Sequence, residues 1–332
     1  MDISIIIPVY NAAETLEKCI TSVDMQIGID DLQVEVILVD DGSDDGSGKL
    51  CDRIKEKYSK LNIKVLHKEN GGVSKARNEA LAVAQGRYIS FIDADDTVKR
   101  DALHYMYHAI NDTDLKMVSM TGRSDKSDEI VSGYNYVSEY LLHKDTHVWG
   151  KMYRSDFVKD FLFDNELSIG EDMLFLLDIA ARVGKAKEIL CLKEQKYEYY
   201  DNAQGAMKSR FKLSYLDEIK CWEMAERRIK GLQLFNEEFD LKKALSRIAV
   251  IKVYSSMLVI GKLANIKTSV DDLGGKNLKE ILAICSESLN RALKVKGTFS
   301  RLENGYKVKV LIYKLNPNIY LKLYGNWKNG KN

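Results

Sequence analysis

The stretch Gly86–Val98, "GRYISFIDADDTV", begins as a core β-strand and ends in residues a core does not tolerate. Tyr88, Ile89, Phe91 and Ile92 suit a strand buried on both faces. Asp93, Asp95 and Asp96 follow at once, with only Ala94 between the first two. Carboxylates crowded at the end of a buried strand repel one another and resist desolvation. Something beyond that strand end has to compensate them.

The flanking sequence alternates strands and helices, as a parallel sheet requires. "ISIIIPV" (Ile3–Val9) reads as a continuous apolar strand. The helix after it carries Leu16, Cys19, Ile20 and Val23 at i, i+3, i+4 and i+7. Asn11 is expected to cap it, with Glu14 closing a capping-box-like pair. "QVEVILV" (Gln33–Val39) is a second strand, followed by a helix with Leu50, Ile54 and Tyr58. "NIKVLH" is a third, followed by a helix from Ser74 to a C′ glycine at Gly86. "RYISFI" is the fourth; a helix at Ala102–Ile110 and a strand "KMVSM" continue the pattern. This predicts a doubly wound α/β half over residues 1–120, which binds ligands beyond the carboxyl ends of its strands.

Those ends read "PVYN", "VDDGSDDGS", "HKENGG" and "IDADD". Each alone is ordinary turn chemistry; four on one edge mark a site. Hard divalent ions take one or two carboxylates plus substrate phosphates, so Asp95, with Asp93, is a candidate for Mg²⁺ or Mn²⁺ bridging to a diphosphate. Gly71 and Gly72 allow close backbone approach, Ser74 can cap the next helix, and Lys75 and Arg77 add positive charge. Arg77 would fork onto a phosphate or orient Asp93; a solvated helix arginine is the plainer alternative. Asp96 fits a turn residue or a helix cap. A second acidic pair, Glu171–Asp172 in "SIGEDMLF", opens an amphipathic helix. It is explained either by the helix dipole or as a general base for a hydroxyl nucleophile.

The rest of the chain narrows the class. At 332 residues it has room for one or two domains. Its net charge of +1 gives no polyelectrolyte signal for nucleic acid. Cys19, Cys51, Cys191, Cys221 and Cys285, an odd and dispersed set, predict reduced thiols in the cytoplasm. The five histidines lack HExxH spacing. The N-terminus carries no basic signal-peptide region, and the apolar run "AVIKVYSSMLVIGKLA" is interrupted by Lys252 and Lys262, so no membrane span is expected. Residues 124–207 are mixed, with short strands near Ile189–Leu192 and Tyr197–Tyr200; from Phe211 the pattern is helical. The last segment, Arg301–Asn332, holds seven lysines and arginines against Glu303, interleaved with Tyr306, Tyr313, Tyr320, Tyr324 and Trp327. It suits an anionic membrane surface, or else a solvated face or subunit contact.

Taken together, "SIIIPVYNAAETLEKCITSV", "VEVILVDDGSDDGS", "NGGVSKARNEAL", "GRYISFIDADD", "VWGKMYRSDF" and "GEDMLF" resemble family 2 of the glycosyltransferases, over about Ile3 to Met207. The resemblance implies a GT-A fold, a doubly wound and mainly parallel α/β sheet, over residues 1–210. Residues 1–120 would form its nucleotide-binding half, 121–210 its acceptor and catalytic-base half, and 211–332 a helical extension. It implies that Pro8, Val9 and Tyr10 line a base pocket and that Asp41 bonds the uracil. Asn70 and Arg77 would hold the nucleotide, Asp93 and Asp95 would form a DxD motif with Asp95 on the metal, and Trp149 and Lys151 would border the sugar. Asp172 would be the base, with Glu171 beside it. Where relatives carry Tyr-Arg and then a Ser loop over the diphosphate, this chain has Asp201 and Ala206, so Lys208 or Arg210 would supply the charge. The QxxRW motif of processive synthases is absent.

The expected activity is an inverting, metal-dependent hexosyltransferase that moves one sugar from a UDP-sugar to a glycan or lipid-linked oligosaccharide of a bacterial surface polysaccharide or capsule. The setting would be the cytoplasm or the inner face of the membrane, without nucleic acid, and with homo-oligomerisation open. A sugar-phosphate nucleotidyltransferase is the rival enzyme, but "PVYNAAE" lacks its glycine-rich loop. An inactive nucleotide- or carbohydrate-binding module is the rival without catalysis; the intact DxD and ED pairs count against it.

Overall fold

A computed structural model describes residues 1–123, 125, 127–200, 211–232, 239–264 and 276–329. The chain divides into two compact units, Met1–Asn202 and Ala203–Asn332.

The first unit opens with β1 (Ile3–Val9), α1 (Leu16–Asp24), β2 (Val34–Asp41), α2 (Ser47–Lys57), β3 (Asn62–Lys68), α3 (Val73–Val83) and β4 (Tyr88–Phe91). It continues with β5 (Thr97–Val98), α4 (Ala102–Ile110), β6 (Met117–Met120), β7 (Glu129–Ser132), α5 (Gly133–Glu139), β8 (Lys151–Arg154), α6 (Ser155–Val158), α7 (Glu171–Val183), β9 (Lys187–Leu192) and β10 (Tyr197–Glu198). Among the described residues, eight strands form one sheet in the order β3-β2-β1-β4-β8-β6-β9-β7, and β5 pairs with β10 in a small antiparallel ribbon. The β3-β2-β1-β4 half is parallel, as its strand–helix alternation predicts. Beyond β4 the sheet is mixed: β8 runs antiparallel to both β4 and β6, and β9 runs parallel to β6. Strand β1 is buried on both faces because its neighbours and the flanking helices cover both. Ile3, Ile5 and Ile7 pack with Leu16 and Ile20 of α1 and Leu103 and Met106 of α4. Each such side chain contributes about 1.5–3 kcal/mol by leaving water.

Three local expectations are corrected. Asn11 does not cap α1: the helix starts later, after Thr15, which makes no side-chain cap bond. Asn11 has φ 49°, and its side-chain oxygen accepts from the Asp44 N–H, tying the end of β1 to the loop after β2. Ser74 does not cap α3; Gly72, at φ 88°, occupies that position, and the buried Ser74 hydroxyl makes no bond. Gly86 is not a C′ residue either, since α3 ends at Val83. Gly86 is needed for close approach: a Cβ there would come within 2.4 Å of the Ser4 nitrogen in β1.

The second unit is helical among its described residues: α8 (Tyr215–Leu232), α9 (Leu241–Leu263), α10 (Leu278–Lys294), α11 (Thr298–Arg301), α12 (Asn304–Leu315) and α13 (Pro317–Asn329). Contrary to the sequence expectation, α9 is long and apolar enough to cross a membrane. Its apolar window is 72% buried inside the protein, and it packs between α8 and α10 as a core helix. Lys252 fits this setting because its ammonium reaches Glu226 at 2.9 Å.

Candidate active site

The order β3-β2-β1-β4 puts the switch in strand order at β1 and β4, and the space beyond their carboxyl ends is where such sheets hold ligands. Asp93 leaves the end of β4 there. Arg77 projects from α3, and Glu171 and Asp172 are the first two residues of α7. The Arg77 guanidinium joins all three acids. Nη2 donates to Asp93 Oδ1 at 3.0 Å; Nη1 donates to Asp172 Oδ1 at 2.5 Å and to Glu171 Oε1 at 3.3 Å. Arg77 is 3% exposed, and its charged end lies 5.2 Å from the centre of the Phe163 ring. It is a buried clamp, not a solvated helix arginine.

Among the described residues, one cation faces three carboxylates, an acidic cluster. Burial raises the Glu171 pKa to about 7, the Asp172 charge adds to the rise, and Arg77 opposes it. Burial likewise raises the pKa of Asp93, against Arg77 and with help from Asp172 and Asp95. The Asp93 side chain keeps 29% of its surface open, so its desolvation comes from surrounding protein mass, not from full enclosure. For Arg77, burial works against the charge, but Asp172, Asp93 and Glu171 outweigh it and raise the pKa. Asp172 also accepts from the Val148 N–H at 3.3 Å and remains 16% exposed.

Asp95 is partly exposed and makes no hydrogen bond or ion pair among the described residues. An unpartnered carboxylate beside Asp93 fits a hard divalent cation. No three His, Cys, Asp or Glu side chains converge on a metal position among the described residues. An ion here would therefore take further oxygens from water or a bound phosphate, as Mg²⁺ ordinarily does.

Asp96 is more than a turn residue. It is 1% exposed; Oδ2 accepts from the Tyr197 hydroxyl at 2.7 Å and Oδ1 from the Tyr200 N–H at 2.8 Å. The Tyr197 oxygen in turn accepts from the Asp93 N–H at 3.0 Å. The β5–β10 ribbon makes this possible by setting Tyr197 opposite Val98. The Tyr197 ring stacks on Trp149 at 4.3 Å, and Trp149 stacks on His147 at 4.7 Å, both within 9° of parallel. Trp149 thus lies one ring from the acid cluster.

The other expected site residues separate. Tyr10 is 54% exposed and Asn70 is exposed, so both are open to a ligand. Pro8 is partly buried, and the Val9 side chain is in the core. Asp41 accepts from the Gly71 and Gly72 N–H groups, each at 2.8 Å, and from Lys68 at 2.7 Å, so it holds the glycine turn before α3. Lys151 does not face a cleft. It is 1% exposed, and its ammonium bonds Asp145 at 2.5 Å. Asp145 also accepts from Ser119 and Tyr136, which fixes one end of the loop carrying His147, Val148 and Trp149. Asp145, Tyr197 and Lys68 escaped the sequence reading, which took Asp96 only as a turn residue or helix cap; its place beside a DxD motif was the one available signal. Asp201, Ala206, Lys208 and Arg210 lie outside the described residues. No disulfide joins any of the five cysteines, and all five are buried.

Residues 4–166 match the family model described as "Glycosyl transferase family 2". The glycosyltransferase GlyG of Streptococcus pneumoniae serotype 4 (strain ATCC BAA-334 / TIGR4) is 30% identical over 239 residues, covering 65% of this chain and 76% of GlyG. The minor teichoic acid biosynthesis protein GgaB of Bacillus subtilis (strain 168) is 32% identical over 217 residues, covering 62% of this chain but only 23% of GgaB. Among solved structures, S. aureus TarS 1–349 in complex with UDP-GlcNAc superposes with a TM-score of 0.64 at 21% identity, over 99% of this chain and 92% of that one. That likeness carries the fold: a mixed α/β domain with a mainly parallel central sheet and a helical C-terminal region. The family match and the GlyG alignment together settle the kinship, and the chain belongs to glycosyltransferase family 2.

Proposed function

We propose that the protein is an inverting glycosyltransferase that moves a sugar from a UDP-sugar to a hydroxyl of a bacterial surface glycan. The observation that carries this reading is the Arg77 clamp, which brings the acid after β4 to the acid pair of α7, 94 and 95 residues from Arg77 in sequence. A transferase needs a donor-side and an acceptor-side carboxylate at one place, and a structural ion pair needs only two charges. TarS binds UDP-GlcNAc, and GgaB is named for teichoic acid biosynthesis; both support a UDP donor and a surface-polymer acceptor.

In this reading Asp172 takes the proton from the acceptor hydroxyl as its oxygen bonds the anomeric carbon. The bond to UDP breaks in the same displacement, and UDP leaves with the electron pair. Arg77 holds Asp172 and Asp93 in fixed relation, and the Val148 N–H orients the second Asp172 oxygen. Asp95, supported by Asp93, would hold a Mn²⁺ or Mg²⁺ ion, which when bound supplies positive charge for the diphosphate. Tyr10 and Asn70 offer open surface to the nucleotide, and Trp149 would border the sugar. Lys151 acts from inside, through Asp145.

The test is UDP release from UDP-glucose, UDP-galactose and UDP-GlcNAc, with and without Mn²⁺. Asp172→Asn and Asp95→Ala should each lower turnover about 10²–10⁴-fold, the usual worth of a positioned proton acceptor or charge stabiliser. Folded variants that turn over as fast as the parent would refute the assignment.

A further inference from the structure

The last two helices carry a surface that neither the fold nor the proposed transfer uses. On α12, Val310 and Tyr313 are buried, while Val308, Leu311 and Leu315 are 55%, 52% and 86% exposed. Their spacing of three and four puts them along one side of the helix. On α13, Ile319, Leu323 and Trp327 recur every four residues, each at least 53% exposed. Single exposed apolar residues are ordinary; six at helical spacing on consecutive helices are not.

Charge identifies what would cover them. From Asn304 to Trp327 there are four lysines, Lys307, Lys309, Lys314 and Lys322, and no acid. None of the four has a carboxylate partner among the described residues. Lys309 lies over the Tyr306 and Tyr324 rings, and Lys314 donates to Asn290. A second copy of the chain would set this basic surface against itself. An acidic surface with an apolar interior complements both features.

We propose that α12 and α13 form an interfacial anchor for the headgroup region of an anionic lipid bilayer, with the leucines and Trp327 entering the acyl boundary and the lysines meeting lipid phosphates. This rests on the transferase reading only in naming a membrane-facing setting; the chemistry stands on the two helices themselves. Helices of 12 and 13 residues are too short to span a bilayer and of a length to lie along one.

The experiment is flotation of the full chain with vesicles of phosphatidylcholine containing 30 mol% phosphatidylglycerol, and with pure phosphatidylcholine. The chain should float with the first and stay below with the second. Lys314→Gln with Lys322→Gln should lower partitioning about 30-fold, at roughly fivefold per lysine. Leu315→Asn and Leu323→Asn should each lower it about tenfold. All four positions are exposed, so the unfolding temperature should hold, which separates lost binding from lost fold. The proposal is overturned if the chain ignores both vesicles, floats equally with both, or binds unchanged after these substitutions. It is also overturned if sedimentation shows a dimer that the leucine substitutions dissolve while no vesicle is bound. No readout involves a nucleotide sugar, so failure here leaves the transfer reading untouched, and an inactive protein that still floats fails only the transfer reading.

Discussion

Replacing Arg77 with Met removes the one cation that three carboxylates share, and the structure sets the scale of the loss. Arg77 is 3% exposed, and the side chains of Glu171 and Asp172 are 10% and 16% exposed, so water replaces the guanidinium poorly. Removing one partner from a buried charge network costs about 3–5 kcal/mol. In a unit of this size 1 kcal/mol moves the midpoint about 2–4 °C, so the expected drop is about 6–20 °C at neutral pH. The pH dependence gives a sharper check. Glu171 has a folded pKa raised by burial from 4.5 to about 7. Between those values the folded state binds more protons than the unfolded one, so the stability this group provides falls as pH rises. Arg77 opposes that rise, and without it the folded pKa climbs further and the window extends upward. The Met variant should therefore lag the parent most above pH 7 and least near pH 4.5. Urea unfolding followed by tryptophan fluorescence at pH 5 and pH 8 measures both. Arg77→Lys, which keeps a charge but cannot fork to three acids, should fall between. A Met variant within about 1 kcal/mol of the parent at pH 8, below the range for a buried pair, or one with an equal deficit at both pH values, would show that Arg77 does not hold the acids together.

Two substitutions test the supports of the site. Tyr197→Phe keeps the ring on Trp149 but deletes the hydroxyl between the Asp93 N–H and Asp96; it should cost about 1–3 kcal/mol in urea unfolding and lower UDP release. Lys151→Met should lower stability by about 3 kcal/mol, the low end for a broken buried pair because Ser119 and Tyr136 still bond Asp145. Unchanged stability with a raised KM for the donor would instead put Lys151 on the substrate.

The parallel half of the sheet was legible because its elements are long and periodic. Ile3–Val9 and Ala102–Ile110 have the bounds that their apolar patterns predict. The second half was less so. Strand β10 lies where a short strand was expected, but its partner β5 has two residues, too few for any period, and is a strand because it pairs with β10 across nearly 100 positions. The acids of the site were legible as acids, but their relations were not. "DAD" does not tell that the next acid, Asp96, will be enclosed by Tyr197 and Tyr200, because the enclosing segment arrives from elsewhere in the chain. Lys151 misled for the related reason that a lysine near an expected pocket reads as exposed. Its strand is covered on both faces, and only Asp145 in the fold reveals where the charge goes.

The crowding after β4 also bears on why this arrangement is retained. Ser74 shows that the neighbourhood tolerates a buried hydroxyl without a partner, and Arg77 Nε is likewise unpaired. Local polar satisfaction is therefore not what the site optimises. Asp93 and Glu171 both have raised pKa values, so each costs stability whenever it is charged at neutral pH. Replacing a buried charge cluster with apolar residues is often neutral or stabilising, so stability alone does not account for three acids around one arginine. Asp95 sharpens the point, since it adds negative charge and has no partner among the described residues. A dication with a diphosphate would balance Asp95 and Asp93 while leaving Arg77 to Asp172 and Glu171. The excess of acid over base among the described residues of the site is then the expected condition of a site completed by its ligands.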